Sequence, residues 1–276
     1  MSFRYAICNE TYVNWPHEKV CEAVAAAGYT GLEMAPFTLA PLITDVSAAR
    51  RAELRRQAES RGLTLIGLHW LLAKTEGFML TSSDPEVRKR TGLYLAELAK
   101  ACRDLGGDIL VLGSPMQRKI PPGGTKQTAE DYAIDAISHA LPELDRQRVT
   151  LALEPLAPAD ADFLQTAAEG HAMMTRLNHP FVKLHLDVKA MCTEAKPVAA
   201  VIREFAPAMK HFHANDANLR GPGFGATDFV PIFQALKDVN YPGWISVEVF
   251  DYTPDPETIA TRSLEHMRKC EAATKG

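Results

Sequence analysis

Short apolar runs alternate with longer amphipathic stretches along the whole chain. The short runs predict strands at residues 3–8, 31–34, 64–69, 109–113, 149–155, 182–187, 209–215 and 244–249. Most are near-continuous in hydrophobicity, as suits parallel strands covered on both faces. Between them the period becomes helical. In one segment Val87, Thr91, Tyr94, Leu95, Leu98, Ala99, Cys102 and Leu105 form an apolar stripe, while Arg88, Lys89, Arg90, Glu97, Lys100 and Arg103 take the other face. That helix opens at Ser83-Asp84-Pro85-Glu86, a capping residue with proline in the first turn, and stops at Gly106-Gly107. Gly28 and Gly62 end the first two helices in the same way. Eight such strand–helix units, joined by right-handed crossovers, close an α/β fold of the (β/α)8 barrel type. No linker or low-complexity segment interrupts them, so a single domain over residues 1–276 is expected.

Two connections exceed the minimal unit: residues 70–83, and residues 114–127 with Pro115, Pro121, Pro122, Gly123 and Gly124. Both follow strand C-terminal ends and should overhang the mouth, where loops this long serve as lids or substrate walls.

Composition narrows the function classes. The chain has 276 residues, near the ~250 typical of one such barrel. A net charge of −4 offers no electrostatic footprint for nucleic acid, and no apolar run approaches the ~20 residues needed to cross a bilayer. The N-terminus runs directly into the first strand without a signal peptide's apolar core. The five cysteines, Cys8, Cys21, Cys102, Cys192 and Cys270, are scattered and form no CxxC pair. Reduced thiols in a cytoplasmic protein are the reading.

The chemistry concentrates late in the chain. The fifth to eighth predicted strands deliver Glu154, Asp187, His213 and Glu248, spaced 33, 26 and 35 residues apart. Barrel strands recur at about that interval, and their C-terminal ends converge on one mouth. Three carboxylates and one imidazole make an oxygen-rich site for one divalent ion, best suited to Mn²⁺ or Mg²⁺ and open to Co²⁺ or Zn²⁺. Such an ion can chelate the vicinal carbonyl and hydroxyl of a sugar, acidify the adjacent C–H and stabilise the enediolate that forms. Glu154 and Glu248 belong to well-separated strands. They could face the two sides of a bound substrate, one removing the proton and the other returning it.

These residues resemble the xylose isomerase-like superfamily of sugar isomerases and epimerases, particularly its ketose 3-epimerase, hydroxypyruvate isomerase and inosose dehydratase branches. The resemblance rests on Leu153-Glu154-Pro155-Leu156, Leu184-His185-Leu186-Asp187, His211-Phe212-His213 with Asn218 and Pro222-Gly223-Phe224-Gly225, and Val247-Glu248. It implies that Glu154, Asp187, His213 and Glu248 bind the ion, that the two glutamates shuttle the proton, and that the protein forms a dimer or tetramer. Two substrate contacts usual in ketose 3-epimerases are replaced. Their histidine three positions after the aspartate ligand is Ala190 here, and their arginine six positions after the histidine ligand is Leu219, followed by Arg220.

Other residues carry a functional and a plain reading. Lys189, two beyond Asp187, points into the mouth by strand periodicity and could hold a substrate oxygen; otherwise it is a surface lysine. His185 and His211, two before their ligands, are expected behind the metal as hydrogen-bonded partners. His69 could bind a sugar hydroxyl and Trp70 could cover a ring face, unless both merely pack. Glu10 and Glu33 could accept hydroxyls, with a structural pair the alternative for Glu33. Arg118 could reach a substrate anion, against the ordinary reading of a solvated loop residue. The 221–225 turn lacks the order of a phosphate loop and is expected as a tight turn beside the metal.

The leading expectation is a metal-dependent sugar isomerase or epimerase acting on a small-molecule sugar or keto-sugar. The rival keeps the site but loses a β-substituent after proton removal. That would make a lyase or dehydratase acting on a keto-sugar, a glycoside oxidised at carbon three, or an inosose. A metal-dependent apurinic endonuclease would require more histidine ligands and a basic surface. A non-catalytic sugar-binding barrel would not need four convergent ligands.

Overall fold

The computed structural model describes residues 2–275. Eight parallel strands close into a barrel in sequence order: β1 (Arg4–Cys8), β2 (Gly31–Met34), β3 (Thr64–Leu68), β4 (Ile109–Leu112), β5 (Thr150–Leu153), β6 (Val182–Asp187), β7 (Met209–Ala214) and β8 (Trp244–Val247). Around it run α1 (His17–Ala27), α2 (Ala48–Glu59), α3 (Pro85–Leu105), α4 (Lys126–Ser138), α5 (Leu141–Gln147), α6 (Ala167–Leu177), α7 (Val188–Met191), α8 (Val198–Phe205), α9 (Phe229–Asp238) and α10 (Pro256–Ala272).

β2 and β6 coincide with their predicted bounds, and the other strands are shorter by one to three residues. The lost residues lie mostly at C-terminal ends, where the chain leaves the ladder to form the mouth. Trp70 and Ser114, just past β3 and β4, have turned to left-handed φ values of 52° and 46°. The predicted α3 stripe is buried, with Leu95, Leu98, Ala99 and Cys102 inaccessible. The Asp84 carboxylate accepts the Glu86 amide at the start of α3, and Gly106 closes it at φ 100°. Gly28 likewise caps α1 at φ 96°. Helix α2 ends differently from the expectation: Ser60 is its cap, and Gly62 supplies the left-handed turn two residues later.

The barrel interior is apolar below and polar at its top. Glu33, His69, His185, His211 and His213 are all fully buried there. The β2–β3 and β6–β7 ladders each slip by one residue at this level, between Leu32 and Glu33 and between Leu184 and His185. Such irregularities re-aim side chains near functional sites. The two long connections hold one another: the Leu80 amide donates to the Gln117 carbonyl, and the Thr81 hydroxyl to that of Lys119. Among the described residues no helix is long and apolar enough to cross a membrane.

The helical shell is tightest where α3 meets α4. A Cβ on Gly92 would collide with the Ala136 carbonyl oxygen and with His139 Cβ. Replacing a helix-interior glycine by alanine ordinarily gains about 0.5–1 kcal/mol. Here the clash should reverse the sign, so Gly92→Ala is expected to lose about 1–3 kcal/mol, as overpacked positions do. Urea denaturation checks this, and an unchanged or higher midpoint would contradict the packing.

Candidate metal centre

The C-terminal ends of β5 to β8 bring Glu154, Asp187, His213 and Glu248 to one mouth, all of them buried. Register sets Asp187 beside His213 across β6–β7. Ligating atoms of Glu154, His185, Asp187 and His213 lie within 4.8 Å of one another. Glu248 joins through His213, whose Nδ1 stands 3.1 Å from Glu248 Oε2. The compact group therefore contains His185, which the sequence placed behind the ligands. His185 Nε2 stands 3.8 Å from Glu154 Oε1, and neither ring nitrogen has a hydrogen-bond partner.

Each side chain is aimed by its surroundings. The Ala190 amide donates to Asp187 Oδ1 at 2.8 Å, and Asn215 Nδ2 donates to Oδ2 at 2.6 Å. Glu154 Oε2 occupies the space that a Cβ on Gly113 would fill, so a side chain at 113 would displace the carboxylate. The second ring nitrogen of His213, Nε2, faces Glu33 Oε2 at 3.1 Å, and His211 Nε2 meets the same oxygen at 2.9 Å. Glu33 is thus a structural pair for two histidines, in the arrangement by which carboxylates orient metal-binding imidazoles.

The electrostatics are those of crowded buried carboxyls. Burial, followed by the charges of Glu248 and Asp187, pushes the Glu154 carboxyl up to about 8. Burial and Glu248 push Asp187 up to about 6. Burial would also raise Glu248, but His213 holds it below the usual carboxylate range. Burial opposes charge on Glu33 as well, and His211 with His213 hold it well below that range. With both carboxylates ionised, His213 satisfies Glu33 and Glu248 only as an imidazolium. Three carboxyls, an imidazole and oxygen atoms with few competing donors fit a hard divalent cation, which would take over the charge compensation.

The remaining predicted residues distribute around this centre. Glu154, Glu248, Trp70, Lys189, Leu219 and Phe250 line a cavity of about 230 Å³. Trp70 donates its indole N–H to Glu248 Oε1 at 2.7 Å. Lys189 does face the mouth, but from the first turn of α7 and not by strand alternation, because β6 stops at Asp187. Its Nζ donates to Asp160 Oδ2 and lies 4.8 Å from the Phe250 ring centre. Glu10 lines an adjoining cavity, while His69 sits behind it with Nε2 2.7 Å from Glu10 Oε2.

Arg118 corrects the sequence reading. It is buried, neither solvated nor reaching into the mouth, and its guanidinium donates to the backbone carbonyls of Glu154 and Leu164 at 2.6 and 3.2 Å. Burial lowers its pKa to about 10. The glycine-rich turn packs against the helical shell. Gly221 packs on Ser263 and Ile259 of α10, and Asp216 gathers the Gly225 and Thr227 amides. At the two departures from the epimerase pattern, Ala190 serves Asp187 through its amide and Leu219 enters the cavity. Arg220 does not replace the missing arginine, since it turns away to Asp251 at 2.7 Å. Asn215 was missed by sequence reading, although its position two past His213 shares that residue's parity along the chain.

A family model described as xylose isomerase-like TIM barrel matches residues 21–270. The chain is 28% identical over 233 residues to a D-psicose 3-epimerase of Ruminiclostridium cellulolyticum, covering 83% of this chain and 76% of that protein. It is 29% identical over 252 residues to a D-psicose 3-epimerase of Agrobacterium fabrum, covering 87% and 83%. A crystal structure of D-psicose 3-epimerase in the presence of D-fructose superposes with a TM-score of 0.85 at 22% identity, covering 98% of this chain and all of the other.

Arg118 generates a stability test. Arg118→Met would keep the bulk but strand the Glu154 carbonyl, whereas that of Leu164 keeps the Leu156 amide, and a buried acceptor left unpaired costs about 1–3 kcal/mol. Thermal melts should show a clear drop. A variant as stable as the parent would mean that the guanidinium is not needed there.

Proposed function

The chain belongs to the xylose isomerase-like TIM barrel family, and from that premise we propose that it is a divalent-metal-dependent sugar isomerase or epimerase. The observation that carries the reading is the pair of buried glutamates, Glu154 and Glu248, lining one cavity with their carboxyls pushed in opposite directions. Separated carboxyl environments are how a protein assigns acid and base roles to two like groups. Glu154, Asp187, His213 and Glu248 would hold one Mn²⁺ or Mg²⁺ ion, with His185 within ligand distance beside them and His211 behind. Bound there, the cation supplies Lewis-acid polarisation of a carbonyl and its neighbouring hydroxyl.

The chain's own residues do the rest. Glu248, kept ionised by His213 and oriented by the Trp70 indole, is the readier proton acceptor. Glu154, the more reluctant to ionise, is the readier donor, and the roles exchange for the reverse reaction. Lys189 would hold a substrate oxygen, Trp70 would cover a ring face, and Glu10 would accept a hydroxyl with His69 steadying it. The D-psicose 3-epimerase relatives support proton transfer beside a ketone. Leu219 and Ala190 favour a second reading on the same site, a lyase or dehydratase acting on a keto-sugar derivative, a 3-keto-glycoside or an inosose. An apolar Leu219 withdraws a polar clamp from the sugar.

Two outcomes test the site. Purified protein is expected to bind about one Mn²⁺ per chain, and His213→Ala or Asp187→Ala should lose it while staying folded. Because Glu154 holds its proton below about 8, the ion must displace that proton. His213, held charged between Glu33 and Glu248, must give up its proton as well, so affinity should rise with pH by more than about tenfold per unit below that value and continue to rise, more gently, above it. Elemental analysis that finds equal metal in parent and variants, or titration with no pH dependence between 6 and 8, would remove the assignment.

Glu154→Gln and Glu248→Gln keep a metal-facing oxygen but cannot act as a carboxylate base. Each should lower turnover by about 10²–10⁴-fold even with metal saturating. Solvent-deuterium incorporation into ketoses, keto-glycosides and inososes identifies proton abstraction, and product mass separates isomerisation from elimination. Near-parental turnover in either metal-filled variant would exclude a two-glutamate mechanism.

A further inference from the structure

The mouth has two chambers with a common wall. Beside the 230 Å³ metal cavity lies a second of about 380 Å³ over the ends of β1 and β2, and Trp70 lines both. Trp70 adopts φ 52°, a left-handed conformation unfavourable for a bulky residue and usually retained where a site needs it. Its ring meets Phe37 on one side and Phe250 on the other, with centroids 6.2 and 6.1 Å apart. Tyr252 closes the second chamber.

The metal cavity alone falls below the roughly 300–1,000 Å³ usual for small-molecule sites, and the two chambers together fall within that range. The second chamber presents the rings of Trp15, Phe37, Trp70 and Tyr252, together with Glu10, whose Oε1 has no hydrogen-bond partner. Aromatic faces suit the C–H surface of a sugar ring, and an unpartnered carboxylate oxygen suits a hydroxyl.

We propose that the second chamber binds a second, hydroxyl-bearing ring, so that the substrate is a glycosyl-substituted ketose and not a free one. The identity of the sugar in the metal chamber rests on the proton-transfer reading; the second ring does not.

Calorimetric titration of the Mn²⁺-loaded protein with D-fructose, lactulose and isomaltulose separates the two. The disaccharides carry a second sugar on O4 and O6 of the ketose. At least one is expected to bind about tenfold tighter than D-fructose, the size of effect that aromatic contacts supply. Trp15→Ala should shrink that preference several-fold. Val13→Trp, at a half-exposed position on the chamber rim, should abolish it by filling the space, with D-fructose affinity within about twofold of the parent. Equal or weaker binding of both disaccharides overturns the proposal, as does a preference that survives Val13→Trp. Deuterium uptake is followed in the same samples. A disaccharide preference without deuterium in any of the three sugars upholds the second chamber and defeats proton transfer on ketoses. Deuterium in D-fructose without a disaccharide preference does the reverse.

Discussion

The arrangement at the mouth depends on His213 standing between two buried carboxylates, Glu33 on one ring nitrogen and Glu248 on the other, each at 3.1 Å. Buried charge is tolerated only when paired. Without a cation, the ring must carry the positive charge that the cluster requires. If a cation were held there, the charge would pass to it, and the ring could serve as a neutral donor with Nε2–H toward Glu33. That single side chain therefore links the deep polar layer of the barrel to the reactive surface, and its orientation is settled from below before any ligand arrives.

The polar layer explains features that would otherwise be liabilities. Four histidines and Glu33 fill the top of a barrel interior where branched apolar side chains ordinarily pack. His211 pairs one ring nitrogen with Glu33, and His69 one with Glu10, whereas His185 has neither nitrogen paired beside Glu154. An orphaned buried imidazole is costly. Its place within ligand distance of Glu154, Asp187 and His213 is where a cation or its bound solvent would satisfy it. The one-residue slips in the β2–β3 and β6–β7 ladders fall at Glu33 and His185, so backbone irregularity and polar filling coincide.

Around that layer, the loops act as walls more than as reagents. Arg118 holds the backbone of Glu154 in place instead of reaching outward, and Gly113 leaves the room that Glu154 needs. Trp70 is drawn down by Glu248 and separates two chambers of different character, one bearing Glu154 and Glu248 and the other several aromatic rings with Glu10. Leu219, held at φ 74°, puts an aliphatic surface where ketose 3-epimerases usually carry an arginine.

The local pattern of the sequence carried the eight strands, the C-terminal ends of α1 and α3 and the four ligand candidates. Near-continuous apolar runs signal doubly buried parallel strands, and Glu154, Asp187, His213 and Glu248 each sit where such a run stops. Periodicity could also place His185 and His211 inside the barrel. What lay beyond it was every contact between units distant along the chain. Nothing near Glu33 in sequence marks it as the partner of His211 and His213, because that pairing needs the barrel closed with β2 facing β7 across its interior. Arg118 reads as a loop residue until the fold buries it against carbonyls 36 and 46 residues away. Lys189 was aimed correctly for a wrong local reason, since a helix begins where strand alternation was assumed. Residue type and period are local properties, whereas burial, protonation and the identity of a neighbour depend on closing the barrel.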